Sequence, residues 1–320
     1  MVILKMNEID KIAVCSRSFS KNETLKKLLL SKYKNVKFNE TGKQLDGSQL
    51  VNFLKDSTKA IVGLEKIDEI ILRESTDLKV ISKYGVGIDS LDLSALKKYK
   101  IYLGWSPGVN KRSVAELILG LTINLLRKIS ISNKSLLKGQ WIQHTGEQLT
   151  GKTFGIVGCG NIGKEVVKLL QPFNCEILIS DIKVYSDFNL NYNLKKVELN
   201  TLLKRSDIIS INIPYNLNTI NLFSTDKIDL IKCSAILINT SRGGLVDENA
   251  LKQALKNNKI AGAAFDVFKS EPPIDKELIN LPNFLATSHI GGSTSEAILQ
   301  MGLAAINGLD DNRLVNDIYL

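Results

Sequence analysis

Proton transfer near neutral pH is the work of histidine. This 320-residue chain has only two, His144 and His289, beside seven arginines at 17, 73, 112, 127, 205, 242 and 313. A site that needs an imidazole or a guanidinium therefore has few candidates. His289 follows the apolar run Phe284–Ser288 and precedes Gly291-Gly292, which puts it at the carboxyl end of a strand, where open α/β sheets bind their ligands. His144 lies in the polar stretch Gln140–Glu147, a surface or linker setting, and is the fallback. Arg242, in Asn239–Gly244, also follows a strand-like run, and its planar fork of donors suits a carboxylate held by two bonds. Glu271, in Ser270-Glu271-Pro272-Pro273, follows the run that carries Asp266. It either accepts the far N–H of His289, fixing the tautomer and stabilising the imidazolium, or belongs to a solvated loop.

A second group of residues has a different chemistry. Gly158-Cys159-Gly160-Asn161-Ile162-Gly163 is a GxGxxG set between a strand pattern and a helix pattern. In that context Gly158 allows the tight turn, Gly160 lets the backbone approach a pyrophosphate, and Gly163 lets helix and strand pack closely. The free N–H groups and positive dipole end of the helix then face the phosphates. Eighteen residues beyond Gly163, the run Glu176–Ser180 ends in Asp181. A carboxylate there accepts from a ribose 2′-hydroxyl and repels a 2′-phosphate, which favours NAD over NADP. Cys159 reads as a small filler.

The elements that must position these groups follow from periodicity. Short β-branched or apolar runs alternate with amphipathic segments of helix length, the pattern of a parallel α/β sheet. Strands are predicted at Ile12–Ser16, Val36–Asn39, Ala60–Gly63, Val80–Lys83 and Ile101–Leu103, with helices at Asn22–Ser31, Ser48–Leu54, Asp68–Leu72 and Leu93–Lys98 between them. After the turn Ser106-Pro107-Gly108, a second series has strands at Phe154–Gly158, Glu176–Asp181, Ile208–Ile213, Ala235–Asn239, Ala261–Val267 and Phe284–Ser288. Its helices are Ile162–Leu170, Leu199–Lys204 and Glu248–Asn257, and a last helix, about Ser293–Gly308, closes the chain. Two αβ lobes joined near 104–110 result. Between them Asn110–Lys128 reads as one helix that is apolar most of the way round, as at a domain or subunit interface.

Composition narrows the class. Apolar residues are 44% and charged residues 23%, which fits a globular chain with a sizeable core. The net charge is +9, but the lysines are spread along the chain with no basic tract, so nucleic acid is not expected as a partner. Glu116 and Asn124 interrupt the most apolar stretch, so no membrane span is expected, and Met1–Lys11 lacks the form of an export signal. The four cysteines form no CxxC pair, so neither a metal site nor a disulfide scaffold is expected, and the cytoplasm is the expected compartment.

Several motifs recur in order: Tyr84-Gly85-Val86-Gly87-Ile88-Asp89, Val114-Ala115-Glu116, Gly158–Gly163, Asn239–Gly244 with Val246-Asp247-Glu248, Phe265-Asp266-Val267-Phe268, Glu271-Pro272, and His289-Ile290-Gly291-Gly292-Ser293-Thr294. With them the chain, from about 58 to 308, resembles the D-isomer-specific 2-hydroxyacid dehydrogenase family, which includes phosphoglycerate dehydrogenase. The resemblance implies two Rossmann-like lobes with doubly wound parallel sheets, the cofactor lobe inserted in a flavodoxin-like substrate lobe. The substrate-binding domain would be 1–104 plus 290–320, and the NAD-binding domain 105–289. It implies a catalytic trio of Arg242, Glu271 and His289, with backbone N–H groups around Val86 and Gly87 receiving the substrate carboxylate alongside Arg242. Implied cofactor contacts are Gly158, Gly160, Asn161, Ile162, Gly163, Asp181, Pro214, Thr240, Asp266, Gly291 and Gly292, with Asp266 on the nicotinamide amide. Ser288 and Asn212 stand where many members have Pro and His. The chain ends at 320, without the regulatory domain of longer phosphoglycerate dehydrogenases, so feedback through such a domain is not expected.

The expected function is hydride transfer between NAD and C2 of a small D-2-hydroxy acid or 2-keto acid of the glycerate, hydroxypyruvate or glyoxylate type. The stretch Gly63-Leu64-Glu65-Lys66-Ile67-Asp68 offers no arginine for a phosphate, although Lys66 and Arg73 leave 3-phosphoglycerate as the alternative. A non-catalytic NAD-sensing protein is the rival from another class. A homodimer centred on the helix 110–128 is the expected assembly.

Overall fold

A computed structural model describes residues 7–315. The outer ends of the expected substrate-binding segments, 1–6 and 316–320, lie outside the described residues, as does part of the stretch read for an export signal. The chain forms two compact units, Met1–Asn110 with Ser295–Leu320, and Lys111–Thr294. The breaks fall a few residues beyond 104 and 289. One reason is a bond inside the second unit: the buried Ser113 Oγ donates to the Gly291 carbonyl at 2.6 Å and keeps the segment after His289 with it.

The first unit is built on β1 (Asn7–Val14), β2 (Tyr33–Phe38), β3 (Lys59–Val62), β4 (Val80–Lys83) and β5 (Tyr102–Gly104), all parallel, in the order β2-β1-β3-β4-β5. That is the flavodoxin-like order. Strand periodicity sends successive side chains to opposite faces. Ile12, Val14 and Ile61 join one core with Phe19, Leu25 and Ile306, while Ala13, Cys15, Ala60 and Val62 join another with Leu50, Ile71 and Leu96. The closing helix Ser295–Gly308 lies on the first face. Its Gly308 meets Gly104 so closely that a Cβ on Gly104 would sit 2.1 Å from the Gly308 carbonyl oxygen.

The second unit has β6 (Thr153–Val157), β7 (Glu176–Ser180), β8 (Lys195–Lys196), β9 (Ile208–Ile211), β10 (Ile236–Asn239), β11 (Gly262–Phe265) and β12 (Phe284–Ala286). All are parallel, in the order β12-β11-β10-β9-β6-β7-β8. The chain winds outward from β6 through β7 to β8, then crosses back to β9, so the switch point lies between β6 and β9. Both faces are covered: Ile209, Ile211, Leu237 and Phe265 feed one core, and Ile156, Ile208, Ile238 and Ala264 the other. Two doubly wound parallel sheets are thus present, as the sequence predicts.

The helix expected over 110–128 spans Lys111–Arg127 and buries one face, Ser113, Val114, Ala115, Ile118, Leu121 and Thr122, within its own unit. Leu117, Leu119, Leu125 and Leu126 pack partly on the same core, so much of its apolar surface is covered without a partner. Lys128, at φ 53°, ends it, and a further helix, Ile129–Leu137, follows. Periodicity does not reveal that helix, because IleSerIleSerAsnLysSer has neither stripe nor cap. The pair Lys195–Lys196 is likewise invisible as a strand: two charged residues carry no alternation, and they form a sheet edge. The closing helix begins at Ser295, two residues later than expected. Among the described residues no helix is long and apolar enough to cross a membrane.

Candidate active site

The glycine loop leaves β6 at Gly158, whose φ is 90° and whose Cβ, if present, would lie 2.5 Å from the Asn212 carbonyl oxygen. Only glycine meets both conditions. A Cβ on Gly163 would lie 2.3 Å from the Gly158 oxygen, so this glycine lets the helix Asn161–Leu170 sit against the turn. Gly160 caps that helix with no side-chain bond, and among the described residues a Cβ there would meet nothing within 4 Å. An uncapped helix start with open space beside it is a fitting cradle for a pyrophosphate. Asp181, just after β7, accepts from the Cys159 N–H at 2.6 Å and the Lys183 N–H at 2.7 Å, which fixes its carboxylate beside the loop. Cys159 is buried, and burial together with the charge of Asp181 pushes its thiol up to about 11. It stays neutral at pH 7, consistent with a filler.

Arg242 is carried by a loop that its own strand end ties down. Asn239, the buried last residue of β10, donates to the Arg242 carbonyl at 2.9 Å and accepts from the Ser241 N–H at 3.1 Å, while Ser241 Oγ donates to the Ile211 carbonyl at 2.8 Å. Thr240, between them, has a buried hydroxyl oxygen with no hydrogen-bond partner among the described residues. A buried polar atom left open at a strand end is itself a reason to expect a ligand there. Gly243 runs against the backbone of Phe268: its Cβ would lie 1.9 Å from the Phe268 carbonyl carbon. The Phe268 N–H in turn donates to Glu271 Oε1 at 3.1 Å. The Arg242 loop and the Glu271 loop are therefore packed backbone to backbone.

Glu271 Oε2 lies 2.7 Å from His289 Nδ1. An ionised carboxylate only accepts, so the proton sits on Nδ1 and leaves Nε2 as the ring nitrogen not engaged by Glu271. Both side chains are partly open to solvent, 48% for His289 and 39% for Glu271. His144, by contrast, has a hydroxyl partner, Ser135 Oγ at 3.3 Å.

Asp266, the residue after β11, is fully buried. Its carboxylate accepts from Thr287 Oγ1 at 2.6 Å and from the N–H groups of Ile290 and Gly291 at 2.8 Å each, while its carbonyl accepts from the His289 N–H at 2.9 Å. Gly291 is buried with both its N–H and its C=O engaged within the chain, whereas Gly292 is partly exposed. Pro214 is exposed just past β9. Val86 and Gly87 lie in the first unit, in the loop after β4, where the Val86 carbonyl accepts from the Trp105 indole at 2.9 Å. Sequence reasoning missed Asn239, Thr287 and Ser113. The Asx turn in Asn239-Thr240-Ser241 was a readable signal for the first, and nothing local marks the other two.

Comparison with known proteins identifies the family. The NAD-binding domain of D-isomer-specific 2-hydroxyacid dehydrogenases matches residues 119–291. Hydroxypyruvate reductase of Thermotoga maritima is 35% identical over 273 residues, covering 83% of this chain and 88% of that protein. Glyoxylate reductase of Thermofilum pendens is 40% identical over 269 residues, 81% of this chain and 79% of that one. D-3-phosphoglycerate dehydrogenase of Methanocaldococcus jannaschii is 36% identical over 81% of this chain, which spans half the length of that relative. The structure of D-lactate dehydrogenase from Aquifex aeolicus, complexed with NAD and lactic acid, superposes with a TM-score of 0.83 at 26% identity, covering 94% of this chain and 93% of that one. With a family model matching more than half of the chain and relatives of 35% and 40% identity along most of it, the chain belongs to the D-isomer-specific 2-hydroxyacid dehydrogenases, NAD-dependent oxidoreductases acting on CH–OH groups.

Proposed function

We propose that this chain interconverts a small unphosphorylated D-2-hydroxy acid of the glycerate type and its 2-keto acid, such as hydroxypyruvate or glyoxylate, with Arg242, Glu271 and His289 as the catalytic trio. The observation that carries the reading is the 2.7 Å contact between His289 Nδ1 and Glu271. NAD, when bound, supplies the hydride acceptor and donor at its nicotinamide ring. His289 Nε2 takes the hydroxyl proton during oxidation and returns it during reduction. Glu271 holds the other ring nitrogen and stabilises the imidazolium, and the Arg242 guanidinium holds the carboxylate with the N–H groups at Val86 and Gly87. The cofactor contacts are Gly158, Gly160, Asn161, Ile162, Gly163, Asp181, Pro214, Thr240, Asp266 and Gly291-Gly292. The open Gly160 cradle and the unpartnered Thr240 hydroxyl support that assignment. The first unit serves as the substrate-binding domain and the second as the NAD-binding domain.

The choice against a phosphorylated substrate rests on the end of β3. Glu65 is buried, and its carboxylate already accepts the Gly63 N–H at 2.6 Å. The donor an incoming anion would want is occupied by an acid. A homodimer centred on the helix 110–128 completes the reading. It is supported by exposed Leu137 and Trp141, at 79% and 82%, close behind that helix, since large apolar side chains left in water mark association surfaces. The cytoplasm is the compartment proposed, on the four free cysteines.

A kcat/KM panel over D-glycerate, hydroxypyruvate, glyoxylate and 3-phosphoglycerate tests the substrate. A 3-phosphoglycerate value tenfold above D-glycerate overturns it. No turnover with any acid, alongside tight NADH binding, points to an NAD sensor instead. His289→Gln is expected to lower kcat by about 10²–10⁴-fold, the usual worth of general acid–base catalysis, and full activity in that variant removes His289 from the mechanism.

A further inference from the structure

We propose that Asp266 and Thr287 are positioning residues that hold His289 in its reactive backbone conformation, an inference that rests on the reading of His289 as the proton carrier. His289 has φ 56°, the left-handed region that a residue with a Cβ adopts only when its surroundings enforce it. The imidazole is half open to solvent, so apart from Glu271 its direction is inherited from the main chain.

The enforcing contacts converge on one residue. β11 and β12 pair in parallel with Phe265 opposite Ala286, which brings the next residues of the two strands, Asp266 and Thr287, side by side. From there Asp266 makes four bonds to the segment 287–291. Its carbonyl takes the His289 N–H, Oδ1 takes the Thr287 hydroxyl and the Ile290 N–H, and Oδ2 takes the Gly291 N–H. These bonds grip the chain on both sides of His289. A carboxylate has about four acceptor positions, and three are used this way inside a fully buried site, so the side chain has little freedom to turn. The Thr287 hydroxyl, at 2.6 Å, is the shortest of the three contacts and the only one made by a side chain. Removing it frees Oδ1 to rotate, loosens the Ile290 N–H, and lets the imidazole drift from Glu271. Nothing in that chain of events touches the glycine loop around Gly160.

The test uses the full-length enzyme and the 2-keto acid that turns over fastest. Thr287→Val, matched in shape at a half-buried position, is expected to lower kcat about tenfold, or about 1.4 kcal/mol, measured at saturating NADH so that any weakening of the proposed cofactor contacts at Asp266 and Gly291 stays out of the readout. Thr287→Ser restores kcat to within twofold of the parent. In the His289→Gln background Thr287→Val produces no further loss, because no imidazole remains to be aimed. Thr287→Ala carries the same expectations where valine crowds the site. Parental kcat in both Thr287→Val and Thr287→Ala, failure of serine to restore it, or an equal tenfold loss in the His289→Gln background each overturns the proposal. An inactive His289→Gln beside a fully active Thr287→Val refutes only the positioning role, whereas a fully active His289→Gln refutes the reading beneath it.

Discussion

Adding one methyl group at Gly243 should damage catalysis out of proportion to its size. Its φ lies outside the left-handed region, so alanine costs nothing in backbone conformation there and the effect is purely steric. The new Cβ would sit 1.9 Å from the Phe268 carbonyl carbon, 2.0 Å from its oxygen and 2.3 Å from the Lys269 nitrogen. All three are backbone atoms, which cannot swing aside as a side-chain end does. Ordinary contact begins near 3.4 Å, so the Phe268–Lys269 peptide must retreat by 3.4 − 1.9 = 1.5 Å. The Phe268 N–H is the group that holds Glu271 at 3.1 Å, and Glu271 holds His289. A misplacement on the order of 1 Å is worth about 10²-fold in rate, so Gly243→Ala should lose about 10²-fold in kcat/KM. Overpacking should lower stability by about 1–3 kcal/mol as well. NADH oxidation with saturating keto acid reads the first effect and thermal unfolding the second. Parental values of both would refute the argument that the two loops are locked backbone to backbone.

Gly160→Ala provides the contrast, because its Cβ meets no atom of the described residues within 4 Å. Its melting temperature should match the parent, while NADH affinity, followed by fluorescence titration, falls at least about tenfold as the methyl intrudes on the pyrophosphate. Asp181→Ala should narrow the preference for NADH over NADPH, measured as a ratio of kcat/KM values; an unchanged ratio removes Asp181 from cofactor choice. Asp207 bonds Lys232 at 2.9 Å and the Thr153 N–H at 2.9 Å. Burial pulls its carboxyl upward, but these partners outweigh that and hold it below the usual 3.8. A depressed folded value means its stabilising effect is present above pH 3.8 and is lost as pH falls through that lower value. Asp207→Asn should therefore cost about 1 kcal/mol at pH 7 by denaturant titration, with the gap to the parent closing toward the acid limit.

How much of this was legible in advance depended on whether a residue's role is local. β1 and β3 alternate between two cores, so Ile12, Ala13 and Val14 announce the end of β1, whereas its largely polar start, Asn7–Lys11, carries no such alternation and was not predicted. Gly158, Arg242 and His289 could be singled out as candidates because strand ends, turns and suitable side-chain chemistry coincide in a few adjacent residues. How much of the helix 111–127 its own unit covers was not legible, because nine apolar positions look the same in sequence whether they face a partner or the helix 161–170 and the sheet of their own unit. Thr287 was invisible for a related reason. Its meaning comes from Asp266, 21 residues away, and only the parallel register of β11 and β12 puts the two together.

The left-handed backbone at His289 has a consequence for how such a chain would drift. An L-residue there gives up about 1–2 kcal/mol relative to its relaxed conformation, whereas glycine gives up almost nothing and asparagine relatively little. Selection for folding alone would therefore favour discarding the imidazole, and under the role proposed for His289 stability and chemistry would pull in opposite directions at this position. Thermostabilising libraries made from this chain should return glycine or asparagine at 289 as early hits, and those variants should be the most robust dead enzymes in the collection.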